Sequence, residues 1–419
     1  MSVPADIIEH MFDDGFDEAA AVRRITSLER AKSAAAAEQA RLTAALDGHR
    51  RRAEAAAGVS AAKRGRGLAA EVALARHDSP SRGGRHLGFA RALVHEMPHT
   101  LAALEAGALS EWRATLIVRE SACLDVEDRR ALDAELCGDP ATLAGKGDGR
   151  IAADAKAIAY RLDPRAVVDR ARRAETECTV SIRPAPDCMT YVTALLPMAA
   201  GVSVYAALRR TADTTADGRS RGQIMADTLV ERITGRPAEA ATPIAVELVV
   251  TDETLFGGAT EPARATGYGP IPAAVARHLV AGAVAGGAPA TLRRLYRHPA
   301  SGALVAMESR ARLFPRSLSK FIRLRDDTCR TPYCDAPIRH VDHATPHARG
   351  GPTNAVNGSG VCEACNYAKE APGWQVRTSA TERGHASEIE TPTGATYASA
   401  APPLPGRTDD EPAVRGRAA

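Results

Sequence analysis

The N-terminal part of the chain combines many alanine and charged residues with few large apolar ones. Its large aliphatic side chains between Phe16 and Gly58 include Ile25, Leu28, Leu42 and Leu46. Alanine, glutamate, arginine and leucine are strong helix formers, so the pattern predicts one or two long helices within a helical segment at 1–67. Because the apolar stripe is thin, it points to a helical hairpin or to self-association into a homodimer.

Helical patterns continue from residue 68 to about 300. The stretches before Pro80 and Pro98 each predict a helix that stops ahead of a proline, and residues 100–121 predict one amphipathic helix around Gly107. Alternation after Thr179 indicates a short strand or a hairpin, and β-branched residues predict a strand at 244–251. We therefore expect 68–300 to be a mostly helical domain with a few strands.

The pattern changes in the next segment, 301–378. Ile338–Asp342 favours a strand, and the Gly350-Gly351 pair favours a turn. A second strand leads through Val361 into a helix from about Cys362. This order predicts a small α+β module with a ββα unit. Residues 379–419 are rich in Ser, Thr, Ala, Pro and Gly, so we expect a disordered tail there.

The chain of 419 residues carries a formal charge of +3, but its basic residues are unevenly placed. Between Glu308 and Arg325 there are six basic residues and one acid, which suits either a polyanion or a solvated helix face. The N-terminus lacks the pattern of a secretory signal, and the most apolar run, 192–208, is shorter than the ~20 residues of a membrane span. We expect a cytoplasmic protein without a membrane contact.

Four cysteines in the C-terminal module occur as two close pairs. Four residues separate Cys329 from Cys334, and two separate Cys362 from Cys365. Paired thiolates on two turns are a common way to bind Zn²⁺ tetrahedrally. Because four thiolates leave no coordination position for water, the spacing predicts a structural zinc ion.

Polar residues of a second kind are interleaved with these cysteines. The sequence runs Asp342-His343, a Gly-Gly turn, Asn357, then CxxC followed directly by Asn366, with Lys369 three residues later. This order resembles the HNH family of endonucleases, also called His-Me finger or ββα-metal nucleases. Segments such as EMPHTLAALEAGALSEWRA also resemble the thirteen-E-twelve repeat group of bacterial proteins, in which a large helical domain of unknown function precedes an HNH domain.

The resemblance implies a role for each matched residue. His343 would be the general base, and Asp342 with Asn366 would hold one catalytic ion, Mg²⁺ or Mn²⁺. Asn357 would bond the loop backbone and fix the direction of His343. Asn354 is an alternative for that central position, although Asn357 has the nine-residue spacing to Asn366 that the family pattern favours.

The resemblance also implies DNA, most readily double-stranded, as the substrate. Lys369, Arg349 and His347 are the candidate contacts to its phosphates. An alternative function is a four-cysteine zinc module that binds nucleic acid without cutting it. A third is a partner-binding protein with a vestigial nuclease. A binding module has no need of a base beside a hard-metal ligand, so the residues favour a metal-dependent endonuclease.

Overall fold

The structure is a computed structural model that describes residues 17–238, 247–285, 308–309, 313–381 and 384–405. It divides into two units. The first contains Met1–Val72 and Arg82–Arg172, and the second contains Ala73–Ser81 and Arg173–Ala419. The strands and helices after residue 173 thus share a unit with the C-terminal module. The division at residues 67 and 300 stays a prediction.

The described chain is mostly helical from Glu18 to Glu175. Its helices there are α1 (Glu18–Ala56), α2 (Leu68–Ala75), α3 (Gly83–His95), α4 (Pro98–Glu105), α5 (Glu111–Ser121), α6 (Val126–Cys137), α7 (Asp148–Leu162) and α8 (Pro164–Glu175). The core of the first unit lies where α1 packs against α3 and α4, and α5 packs against α7.

Helix α1 is a single long helix, where the sequence predicts one or two, and its buried face consists mainly of small residues. It starts at Asp17, whose side chain accepts a hydrogen bond from the Ala20 amide. Alanines such as Ala37 and Ala40 form the buried face, where small side chains let neighbouring helices approach closely. The large residues Ile25 and Leu42 are 66% and 63% exposed.

The prediction of one amphipathic helix around Gly107 is wrong, because the helix is interrupted there and the chain forms two helices, α4 and α5. Gly107 has a φ of +74°, which side-chain-bearing residues rarely adopt, and a Cβ there would lie 2.7 Å from Cγ of Arg30. Ser110 then caps α5 by accepting a hydrogen bond from the Arg113 amide. The break follows from the close passage of α1.

The second unit contains small antiparallel sheets and further helices. In chain order the elements are β1 (Thr179–Pro184), β2 (Thr190–Leu195), α9 (Met198–Thr214), α10 (Arg221–Thr234), β3 (Leu248–Val249), α11 (Asp252–Leu255), β4 (Ala263–Ala265), β5 (Gly269–Ile271), α12 (Ala273–Ala285), β6 (Glu308–Ser309), α13 (Arg316–Asp326), β7 (His340–His343), β8 (Thr353–Asn354), β9 (Gly358–Val361), α14 (Glu363–Lys369), β10 (Gln375–Thr381), β11 (Gly384–Glu390) and β12 (Thr396–Ala400). The sheets are β1-β2, β3-β4-β5, β6-β8, β7-β9 and β10-β11-β12.

These elements confirm a mostly helical chain with a few small sheets. Strands β1 and β2 form the hairpin that the alternation allowed. The strand predicted at 244–251 is reduced to Leu248–Val249 in the described residues, and 244–246 lie outside them. Within the described ranges, no helix is both long enough and apolar enough to cross a membrane.

The prediction of a disordered tail from residue 379 is wrong for 379–381, which end β10, and for 384–400, which contain β11 and β12. Strand β11 alternates between buried and more exposed residues, with Ile389 on its buried side. Because the apolar content of this segment is low, hydrogen bonds to Arg330 contribute to its stability. Arg330 Nη1 donates to the Ala400 carbonyl at 2.7 Å, and the Ser399 hydroxyl donates to the Arg330 carbonyl at 2.6 Å. Residues 406–419 of the predicted tail lie outside the described ranges.

Candidate metal centre and active site

The four cysteines of the C-terminal module form one buried cluster of free thiols. The sulfur atoms of Cys329, Cys334, Cys362 and Cys365 all lie within 4.8 Å of one another. The Sγ of Cys334 is 3.8 Å from that of Cys362 and 3.7 Å from that of Cys365. A tetrahedron with Zn–S bonds of about 2.3 Å has S–S edges of about 3.8 Å. The cluster therefore has the ligands and spacing to hold a structural metal such as zinc.

Local backbone geometry brings the two cysteine pairs into position. Cys362 caps α14, and its Sγ accepts a hydrogen bond from the Cys365 amide at 3.4 Å. In the other pair, the Cys329 amide donates to the Ala336 carbonyl at 2.9 Å, which closes the turn that carries Cys334. Both turns thus direct sulfur atoms inward without a disulfide.

Hydrogen bonds among the four thiols shift their pKa values in opposite directions. A hydrogen bond from Cys329 lowers the pKa of Cys334 to about 7 and also lowers the pKa of Cys362. Hydrogen bonding to the neighbouring sulfurs raises the pKa of Cys329 and Cys365. A divalent cation would stabilise all four thiolates at once, so its binding would release protons.

Beside the cluster, β7, β9 and α14 form the expected ββα arrangement. The two strands are antiparallel, with His340 opposite Val361 and His343 opposite Gly358. Asp342 and His343 consequently lie at the end of β7, where α14 packs against the strand. His340 is exposed at the start of the strand.

His343 is buried and held in a defined orientation. Its Nε2 lies 2.8 Å from the Thr353 hydroxyl, its Nδ1 lies 3.8 Å from Asp342 Oδ1, and its ring centroid is 4.5 Å from that of Phe314. Burial lowers the pKa of His343, although the charge of Asp342 opposes this. The imidazole is therefore neutral at neutral pH and has a nitrogen able to accept a proton.

Asn357 ties together the loop that follows His343. Its Oδ1 accepts a hydrogen bond from the Thr345 amide at 2.8 Å, and its Nδ2 donates to the carbonyls of Thr345 and Pro352 at 3.0 and 2.9 Å. Asn354, the rival for this position, accepts a hydrogen bond from the Asn357 amide at 2.8 Å. Asn357 thus makes hydrogen bonds to the loop backbone, and Asn354 makes one to the backbone of Asn357.

The imidazole itself is bonded by Thr353, a residue that the sequence analysis missed. Thr353 begins β8 directly after the Gly-Gly-Pro turn. Its position after this turn is the sequence feature that could have identified it. Gly351 makes the turn possible, because a Cβ there would lie 1.8 Å from the Thr345 carbonyl oxygen. Any side chain at 351 would push the loop away from His343.

Asp342 and Asn366 offer oxygen atoms suited to a hard divalent ion. Burial raises the pKa of Asp342, but the hydrogen bond and charge of Lys369 outweigh it, so the net pKa is below the ordinary value and the carboxylate is ionised at neutral pH. Asn366 lies one turn before Lys369 on α14, and its Oδ1 is buried without a partner within the described part of the chain. Carboxylate and amide oxygens are ligands that Mg²⁺ and Mn²⁺ accept, so these residues fit such an ion.

The three candidate phosphate contacts have different surroundings. Lys369 is nearly buried and its ammonium bonds Asp342, Glu370 and the His343 carbonyl, so all three of its donors are in use. His347 and Arg349 lie on an exposed helical turn, and the His347 ring centroid is 5.7 Å from that of His343.

Two arginines of the basic run before the cysteines make hydrogen bonds within the module. Arg323 donates to the Ile338 carbonyl at 2.8 Å, and buried Arg325 bonds Asp326 at 2.7 Å. Arg310 and Arg312 lie outside the described residues. Arg323 and Arg325 therefore do not provide the polyanion-binding surface that the run allowed.

Comparison with known proteins bears on the helical part of the chain. A family model described as "Domain of unknown function (DUF222)" matches residues 29–326. No curated protein and no solved structure matches the chain. The matched range ends at Asp326, so the cysteine cluster and the residues around His343 lie beyond it.

Proposed function

We propose that this chain, which belongs to the DUF222 family through residues 29–326, is a metal-dependent HNH endonuclease that hydrolyses phosphodiester bonds in DNA. The observation that carries the proposal is the environment of His343. The ring is buried, its pKa is lowered, and its Nε2 is bonded to Thr353 beside the ionised carboxylate of Asp342. A group so placed is suited to accept a proton at neutral pH.

In the proposed reaction, Nε2–H of His343 donates to Thr353 and Nδ1 accepts a proton from the attacking water. The water oxygen forms the new bond to phosphorus, and the bond from phosphorus to the 3′-oxygen breaks. The 3′-oxygen takes up a proton from solvent water, which leaves 3′-hydroxyl and 5′-phosphate ends. Mg²⁺ or Mn²⁺ held by Asp342 and Asn366 would offset charge on the phosphate and the leaving oxygen. Asn357 keeps the loop in the conformation that presents His343.

The four-cysteine cluster is proposed to bind structural zinc. Closed coordination by four thiolates excludes water, which suits a structural rather than a catalytic ion. The apolar cluster around the four cysteines is small, and Val361 is the one large aliphatic side chain buried with them in the described residues. Leu318 and Ile322 belong to a separate cluster. A metal would therefore hold together the part of the module around the cysteines.

The substrate is proposed to approach from the exposed loop at His347 and Arg349. A cavity lined by residues including Asp342 and His343 encloses only ≈ 20 Å³. That is room for about one water molecule, not for a nucleotide. Phosphate contacts by His347 and Arg349 would place a DNA strand along the open side of β7.

The test is cleavage of supercoiled plasmid by wild type and His343→Ala in EDTA, Mg²⁺ or Mn²⁺. We expect nicking or linearisation by wild type alone and only with metal, while the variant still retards the plasmid. His49→Ala, which removes an exposed histidine of α1, is the matched control and should cleave as wild type does. Retarded but uncut plasmid in every lane would favour the non-catalytic nucleic-acid-binding module instead.

A further inference from the structure

The ammonium group of Lys369 has three partners within the protein, so it has no donor left for a substrate. Its Nζ lies 2.9 Å from Asp342 Oδ2, 2.6 Å from Glu370 Oε1 and 3.2 Å from the His343 carbonyl oxygen. Only 9% of the side chain is exposed. An ammonium has three N–H donors, so a phosphate could reach it only by displacing one of these partners.

Each carboxylate oxygen of Asp342 also has a partner within the protein. Its Oδ1 accepts a hydrogen bond from the His343 amide at 2.8 Å, and its Oδ2 carries the contact to Lys369. A partly buried carboxylate needs a counter-charge, and in this structure the lysine supplies it. The atom that a divalent ion would use is therefore already paired with a positive charge.

We infer that Lys369 is the internal counter-ion of Asp342 and competes with the divalent ion for this carboxylate. The inference rests on the proposed metal site and deepens it. Lys369 is thus a positioning residue that keeps Asp342 in place while no metal is bound and sets the metal concentration at which the site fills. Like charges roughly 4 Å apart still repel at the effective dielectric of a protein surface, so ion binding must move the ammonium away. Glu370, next to Lys369 and half exposed, can keep the displaced ammonium as its partner.

The direct test measures Mn²⁺ binding in the absence of nucleic acid. Electron paramagnetic resonance reports the concentration of the free ion. Lys369→Met should bind Mn²⁺ at least tenfold more tightly than wild type, because the competing charge is gone. Lys320→Met is the matched control, since Lys320 also pairs with a carboxylate, that of Glu247 at 2.5 Å, but outside the site. Its Mn²⁺ affinity should equal that of wild type. Equal or weaker binding by folded Lys369→Met would overturn the inference.

A second measurement uses the wild-type chain and so does not depend on the folding of a variant. Reductive methylation followed by peptide mass spectrometry reports how accessible each lysine amine is. The labelling rate of Lys369 should rise severalfold at saturating Mg²⁺, while that of Lys320 stays constant. An unchanged rate at Lys369 contradicts displacement.

These outcomes separate the inference from the nuclease proposal. Metal-dependent plasmid cleavage with equal Mn²⁺ affinity in wild type and Lys369→Met would remove the counter-ion role and leave the nuclease intact. Absence of Mn²⁺ binding by both proteins, together with absence of cleavage, would remove both.

Discussion

His385 should make the stability of the C-terminal module fall in mild acid. The side chain belongs to β11, is 4% exposed, and its Nε2 donates to the Val356 carbonyl at 2.8 Å, next to Asn357. Burial, helped by the charge of Arg325, lowers the pKa of His385 to about 4. The module therefore contains a histidine that is kept neutral where an unfolded chain would be protonated.

The sign and size of the effect follow from the two pKa values. In the unfolded chain the pKa of histidine is about 6.5, so below that pH the unfolded state binds a proton that the native state does not. The stabilisation is fully present above pH about 6.5 and is lost progressively as the pH falls towards about 4. With 1.36 kcal/mol for each pKa unit, the full loss is about 3.4 kcal/mol, of which about 2 kcal/mol is lost by pH 5.

The perturbation is His385→Gln, because a glutamine amide can donate to the Val356 carbonyl but does not titrate. Urea unfolding at pH 7.5 and pH 5.0 would be followed by the fluorescence of Trp374. Trp112, the other tryptophan, would be replaced by phenylalanine in both proteins. Other titrating groups, including Asp342, are common to both and cancel in the comparison. We expect wild type to lose about 2 kcal/mol more than the variant between these pH values. Equal losses would refute the reasoning.

Two further predictions concern what holds the module together. Cys362→Ser, or prolonged chelation, should unfold the C-terminal module and leave most helical circular dichroism in place, because a structural zinc site contributes on the order of 10 kcal/mol to folding; an unchanged melting curve would contradict the structural metal. Deletion of 380–419 removes the hydrogen bonds from Arg330 to Ala400, from Ser399 to Arg330 and from His385 to Val356. It should therefore destabilise the module by about 3 kcal/mol or more, measured by urea unfolding with Trp374 fluorescence. If the segment is dispensable for folding, the midpoint will be unchanged.

Several parts of this protein could be predicted because they depend on local spacing. The CxxC turn places Cys362 and Cys365 together through one amide-to-sulfur contact within four residues. Alternation near Thr179 predicted a short strand or a hairpin, and the hairpin β1-β2 forms. The alanine-rich composition predicted one or two long helices, and one, α1, forms. In each case the interacting groups are separated by a turn or a few residues, so the pattern constrains them directly.

Other parts were decided only by tertiary packing. The break at Gly107 arises where α1 passes close to the chain, and β11 and β12 form because Arg330 bonds Ala400, a residue 70 positions away. The buried face of α1 likewise uses its alanines rather than its few large side chains. The composition predicted disorder where β11 and β12 form, because backbone and arginine hydrogen bonds can stabilise a sheet that has little apolar content.

The candidate site divides in the same way. The sequence alone was enough to select His343, Asp342, Asn357 and Asn366, since their order along a ββα unit carries the resemblance. Only the tertiary structure decided that Thr353 makes a hydrogen bond with the imidazole and that the ammonium of Lys369 forms an ion pair with Asp342. The reason is physical. A hydrogen bond between side chains 10 or 27 residues apart exists only when the strand, the turn and the helix that carry them have packed together, and no local spacing encodes that distance.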